Sequence, residues 1–596
     1  MKKYKNRQEV EEKYKWDLTE FYKDENDFNE SYKKICSLVK DIFKYKGCTK
    51  DSNKLHEFLV TYINVLAEIE NLEVYAYMVN DQELGKSDSI EKLNKIVKLE
   101  SDFNINTNFF QPELLKLTID EYNRLFEHDK LDEFKSFLDK IYREKEHTLS
   151  EKEQNIITTL LSSTNNFDNI SSNLINKESD YGIIKLDGEE IELAPTNYRL
   201  FLKNKDVNVR REAYTKLNSV LERNSQTYAS LLNNYVTLNN NNSKLHNFKN
   251  AWDEKLFNLN LSNKVFENLN KSCEKNVDIL QKYFKLYKKV LKLDELHTYD
   301  LSLKLTNNDK EYSIDDATNL VRNSLSVLGD DYVSKYDYII KNRHIDYCQY
   351  KGKQSGGYNI SSLNRNSRIL MSYNYDIDSV STIAHECGHN VHHQYIMENN
   401  PLQYSSIMTI VSEVASLTNE CLLSNYLIEH GKTKEEKLSG IENIMNVFVS
   451  NFYGAIREGK MEQDFYNIVD NGGTITNDVL NDLSISSIKK YYGDSVVDDY
   501  YTKNGWIRRS HYYMNFYLYS YAICISVASN VASKIINGDK EILNKYKKFL
   551  SCGSSKWPKD IFKEIDIDLE NEDVYLNAIK YFNSLIDKFN EIYDSE

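Results

Sequence analysis

Two histidines four residues apart, His385 and His389, flank Glu386 in the run STIAHECGHNVHHQYIM. Positions i and i+4 of a helix project from one face, so both imidazoles can reach a single Zn²⁺. Glu386 is displaced just enough to touch a water on that ion, as a general base must. With 12 histidines in the chain, composition alone would produce HExxH in roughly one such sequence in fifty. The motif therefore needs a third ligand before it means chemistry.

A catalytic zinc site commonly takes three protein ligands and leaves the fourth position to water. If the ligand helix were extended in the usual way, a glycine would fall at 392 and a third histidine at 395; these are His392 and Tyr395. A carboxylate from the next helix is the remaining source. SSIMTIVSEVASLTNECLLSNYLIEHG carries Glu413 and Glu420 seven apart on one face, and Glu413 lies 24 residues beyond His389, across a short connection containing Pro401. Antiparallel packing would bring Glu413 to the metal. Glu420 is expected either to orient a ligand histidine or to be a surface carboxylate. His392 and His393 are expected at solvent-facing or core-edge positions, and Cys387 as a small packing residue, because the ligand set is full without them.

The elements that must hold these residues are mostly helices. Four prolines and 19 glycines in 596 residues, with abundant Lys, Glu and Leu, describe a mainly α chain. Amphipathic segments fill residues 20–180, and the texture changes at YGIIKLDGEEIELAP, two β-prone runs joined by Asp187-Gly188. The sequence thus divides into an N-terminal helical domain, 1–185, and a second domain, 186–596, that contains the HExxH helix. LNNNNSKLHN reads as a solvated loop or helix end. Between 340 and 376 the chain turns β-like, with Gly352, Gly356 and Gly357 marking a bend or a close approach. RILMSYNYD reads as an edge strand to which an extended peptide could add. The motif helix follows, with N-cap chemistry from Asp376, Asp378 and Ser379.

Composition also excludes partners. A net charge of −15 opposes binding to polyphosphate backbones, so nucleic acid is not an expected partner. No segment approaches the length needed to cross a bilayer, and the eight scattered cysteines include no CxxC pair. A cytoplasmic protein with reduced thiols is expected; its oligomeric state is not legible.

HECGH followed by EVASLTNE resembles the thimet-oligopeptidase-like metallopeptidases, and more narrowly their oligoendopeptidase F group. KWDLTEFY, EKEHTLSEKEQNII, YKGKQSGGYN, RILMSYNYDIDSVSTIAHECGH and HYYMNFYLYSYA follow that group's order along nearly the whole chain. Two departures stand out: Cys387 replaces a bulky apolar residue, and GGYNISS replaces a GAYSWG-like run. The resemblance implies a zinc endopeptidase for short peptides, one Zn²⁺ per chain, and a multi-helix body with a small β element that encloses a substrate channel. It further implies that His511 lies near the substrate and that Tyr519, two turns on along a helix beginning near 510, hydrogen-bonds the transition state, with Tyr517 and Tyr512 as alternatives. By periodicity alone those tyrosines are a core stripe. Two other readings remain: a non-catalytic peptide-binding scaffold, and a dipeptidyl carboxypeptidase on the same frame.

Overall fold

A computed structural model describes residues 4–127, 129–164, 166–186, 188–308 and 310–595. Helices dominate, and the two sheets are small. No helix among the described residues is long and apolar enough to cross a membrane. The chain forms two compact units, each assembled from three segments: Met1–Thr148, Asp309–Tyr426 and Val531–Ile567 in the first, Leu149–Asn308, Leu427–Asn530 and Asp568–Glu596 in the second.

In the first unit the long helix Ser52–Gln82 starts where Asp51 accepts hydrogen bonds from the N–H groups of Asn53 and Lys54, satisfying donors that the helix itself cannot. It buries Phe58, Leu59, Leu72 and Met78 completely. Around it Phe58 packs with Phe109 and Phe110, and Tyr62 with Phe103. This core reaches as far as Leu370, on the central strand of the three-stranded sheet.

Five short strands are described: β1 Ile183–Leu186, β2 Glu189–Glu192, β3 Ile345–Asp346, β4 Tyr358–Ser362 and β5 Arg365–Leu370. The sheet of the first unit has the order β3-β5-β4, β5 running parallel to β3 and antiparallel to β4. The RILMSYNYD stretch is therefore not an edge. Ile369 and Leu370 are paired on both sides, and Met371 and Tyr373 continue the ladder through the carbonyls of Asp346 and Tyr347. The edge falls to β4, just after the glycines. On the opposite side the N-terminal segment closes the sheet, with Tyr347 N–H donating to Tyr14 and Asp17 N–H to Arg343.

The motif helix spans Ile377–Asn399, and its N-cap is Asp376, whose carboxylate accepts from Ser379 N–H at 2.9 Å. Ile383, Ala384, Cys387, Val391, His392 and Ile396 have no exposure at all. A helix buried on almost every side has a low amphipathic contrast, and here the half-exposed positions are few: Thr382, His385 and His389 are among them.

In the second unit β1 and β2 pair antiparallel with Leu186 opposite Glu189. This is the hairpin expected there, although Asp187 of its turn lies outside the described residues. The Asn-rich run is the end of a helix, the second of the two readings open from sequence: Ser225–Leu245 continues through Asn239 to Asn242 and closes at His246. The asparagines are held in that helix by defined partners. Asn240 is buried, donates to the Tyr466 carbonyl and accepts from Ala251 N–H, and Asn239 donates to the Tyr235 carbonyl one turn back.

Candidate active site

The motif helix meets helix Thr409–His430 at Gly388. A Cβ built on Gly388 would lie 2.6 Å from Ser416 Cα and 2.8 Å from Ser416 N, so only a residue without a side chain permits this approach. The two helices are also tied by Asn419, which donates to the Ala384 carbonyl at 3.0 Å and accepts from Tyr332 Oη at 2.8 Å.

At this separation Glu413 reaches both histidines. Its Oε2 stands 3.3 Å from His385 Nε2 and 3.3 Å from His389 Nε2, and the two Nε2 atoms are 3.3 Å apart. Three donor atoms thus form an equilateral triangle. Ser416 Oγ donates to the same carboxylate oxygen at 2.9 Å and fixes its direction. Two turns further along the helix, Glu420 takes the far side of His385, with Oε1 2.6 Å from Nδ1, while Ser381 Oγ donates to its other oxygen at 3.1 Å. Holding the proton on Nδ1 leaves the Nε2 lone pair facing the triangle. Glu420 is an orienting residue, one of the two roles open to it from sequence.

The electrostatics follow from these contacts. Burial opposes a charge on His385, but its hydrogen bonds to the carboxylates of Glu413 and Glu420 outweigh it and lift the imidazole well above its ordinary pKa. Burial opposes the charge on Glu413 too, yet the two imidazoles hold it far below the usual carboxylate range. Two carboxylates therefore draw positive charge into this spot, which a cation can supply in place of a proton. Glu386 differs: desolvation is the largest influence on it and raises its pKa, the two histidines pulling the other way. It is 8% exposed, and its carboxylate takes no hydrogen bond from a described residue. Its neighbour is instead Gly357, where a Cβ would stand 3.6 Å from Glu386 Oε1 and 3.1 Å from Thr382 Cγ2.

Comparison with known proteins decides the family. The sequence pattern of Peptidase family M3 matches residues 200–581, and that of Oligopeptidase F matches residues 113–180. The chain belongs to peptidase family M3, in its oligoendopeptidase F group. It is 29% identical to Oligopeptidase PepF of Bacillus subtilis over 98% of this chain and 88% of that protein. It is 28% identical to Group B oligopeptidase PepB of Streptococcus agalactiae over 96% of each. Among solved structures, oligoendopeptidase-F from Enterococcus faecium superposes with a TM-score of 0.74 at 24% identity, covering 96% of this chain and 99% of that one. A chain from Chlamydophila abortus gives 0.88 at 24% identity, covering 99% and 100%.

The family implies a metal, and the triangle fits one. A regular tetrahedron with a 3.3 Å edge has its centre about 2.0 Å from each corner, the distance at which zinc takes imidazole nitrogen and carboxylate oxygen. Among the described residues this is the one group of three such side chains with converging donor atoms. His392 and His393 of the peptidase stay outside it. They are buried rather than solvent-facing, because the helix is covered on that side too: His392 stacks on Phe549, and burial depresses the two imidazoles to about 3 and about 4. Cys387 is fully buried, as a packing residue should be.

His511 and Tyr519 belong to the second unit. The helix there begins at Leu518, not near 510, because Asn515 and Phe516 take left-handed backbone conformations, with φ of 43° and 59°, after a single 3₁₀ turn at Ser510–Tyr513. His511 and Tyr519 consequently do not share a helix. Tyr519 is sealed in the core: it is 1% exposed, its ring packs on Phe266 and against Gly459, and its hydroxyl accepts from Asn270 and donates to Gln463. The phenols beside the half-exposed His511 are those of Tyr517 and Tyr521, with ring centroids 6.0 and 5.9 Å away. Tyr512 is buried with its hydroxyl on Met461 Sδ.

Three residues with a positioning role escaped sequence reasoning: Gly388, Ser416 and Ser381. Only Gly388 left a trace, as a glycine inside an otherwise strong helical pattern. Gly388→Ala must push the helices apart at backbone level, and competition with a chromophoric chelator should show metal affinity reduced about tenfold or more in a folded protein. Glu420→Ala should weaken metal about 10- to 100-fold in the same assay. Tyr519→Phe should leave kcat unchanged and lower the stability measured by denaturant unfolding by about 1 kcal/mol.

Proposed function

We propose that this peptidase is a cytoplasmic zinc-dependent oligoendopeptidase that cuts internal bonds of short peptides. The observation that carries the reading is the 3.3 Å triangle of His385, His389 and Glu413 with Glu386 beside it on the same helix. His385, His389 and Glu413 would hold one Zn²⁺ per chain, which when bound supplies Lewis acidity, polarising the scissile carbonyl and bringing the pKa of its water towards about 7.

The chain's own residues do the rest. Glu386 accepts the proton of the attacking water as the new C–O bond forms, and passes that proton to the amine nitrogen as the C–N bond breaks. Its raised pKa suits a group that must hold a proton between those two events. Glu420 keeps the imidazole of His385 in one tautomer throughout. The oxyanion of the tetrahedral species needs further donors. His511 is proposed for that role, and the phenol that assists it is proposed to be Tyr517 or Tyr521 in place of the buried Tyr519.

Substrate recognition is proposed to run through backbone. β4 is the sheet edge beside Gly356 and Gly357, and an extended peptide can add to such an edge by main-chain hydrogen bonds. Backbone pairing tolerates many side chains, so selection by length with broad sequence preference follows.

Glu386→Gln should retain about one zinc per chain, measured by atomic absorption, and lose cleavage of a quenched fluorescent peptide by at least about a thousandfold. Full activity in that variant would remove Glu386 as the base. Peptides blocked at both ends should be cleaved at rates close to those of the free peptides; loss of cleavage on blocking would assign the enzyme to the exopeptidases.

A further inference from the structure

The loop that walls in Glu386 is built around a buried ammonium. Lys353 is 4% exposed, and its Nζ lies 2.7 Å from Asp346 Oδ1. It also donates to the carbonyls of Asp346, Cys348 and Met371 at 3.0, 2.9 and 2.9 Å. These acceptors sit at the end of β3 and just past the end of β5, so one side chain gathers two strand ends and the start of the glycine loop. Asp346 is shared with Arg7, leaving two cations on one carboxylate. Arg7 keeps part of its side chain exposed, whereas the Lys353 ammonium is fully buried, and the cost of burying it is offset by the carboxylate and the three carbonyls.

What it holds is the segment 352–357. Leu84 N–H donates to the Gly352 carbonyl at 2.7 Å and Gln354 N–H to the Asp81 carbonyl at 2.9 Å. Gly356 N–H donates to Ser372 Oγ at 3.1 Å, and that hydroxyl donates to Gln349 Oε1 at 2.8 Å. Gln349 in turn donates to the Lys353 carbonyl. Gly352 and Gly356, with φ of 92° and 101°, let the chain turn back so that Gly357 meets the motif helix between Thr382 and Glu386. The Glu386 carboxylate makes no hydrogen bond to a described residue, and Gly357 is the residue beside it, close enough that an added Cβ would lie 3.6 Å from Oε1.

We propose that Lys353 is a positioning residue for the general base, acting through the glycine loop on the carboxylate of Glu386; this rests on Glu386 being the base. Lys353→Met keeps the length of the stem and removes the donors. It should lower kcat about 10- to 100-fold with KM changed less than about threefold and zinc content still one per chain. A double-mutant cycle identifies the route. In a Glu386→Asp enzyme, whose shortened base has already lost its position against Gly357, adding Lys353→Met should cost less than about threefold further. Should Lys353→Met fail to fold, Ser372→Ala, which removes the Gly356 pin together with the hydrogen bond to Gln349, enters the same cycle with a several-fold loss expected in the native background and none in the Glu386→Asp one. Equal fold-losses in both backgrounds, an effect confined to KM, or unchanged kcat would overturn the proposal. Wild-type turnover by Glu386→Asp together with Glu386→Gln would instead remove the base assignment, and the proposal with it.

Discussion

Everything at the metal centre depends on one backbone contact, that of Gly388 against Ser416. A carboxylate side chain is short, and Glu413 projects from a helix of its own; it can reach Nε2 of two histidines on another helix only if the helix axes come unusually close. The glycine sets that closeness, and the hydrogen bond from Asn419 to the Ala384 carbonyl keeps the register. Glu413 and Glu420, two turns apart, then clasp His385 from its two nitrogens.

Polar groups this deep must be satisfied within the protein. Ser416 and Ser381 donate to the carboxylates that the imidazoles leave partly free. Glu386, beside them, makes no such hydrogen bond, and burial raises its pKa. The loop beside it is pinned by hydrogen bonds to the end of helix Ser52–Gln82 and to the strand ends.

The candidate site was legible to different depths at different residues. His385, Glu386 and His389 follow from helical periodicity, which is local, and Glu413 follows from adding one short interhelical connection. Glu420 could not be assigned, because orienting a histidine and facing solvent have the same sequence signature and differ only in the distance across to the neighbouring helix. Tyr519 misled for a related reason: the left-handed Asn515 and Phe516 break the helix, turning Tyr519 into the core and leaving Tyr517 and Tyr521 beside His511. Neither residue is a glycine, and Asn515, a residue that tolerates the left-handed region, was the one faint warning in the sequence. Of the two readings of the asparagine run, a solvated loop or a helix end, the helix end holds, and what decides it includes a carbonyl partner, Tyr466, that lies far along the chain.

By itself, the sequence determined that the chain is mainly helical, that one helix presents two imidazoles and an acid on neighbouring lines, and which family those residues resemble. Each is a matter of short-range periodicity or of residue order. The tertiary structure alone decided that β5 is central and β4 the edge, that the three donor atoms lie at tetrahedral spacing, and that a buried lysine ties together the strand ends next to the glycine loop beside Glu386. Those outcomes turn on ångström-scale distances between segments that are dozens to hundreds of residues apart, set by packing that no local pattern encodes.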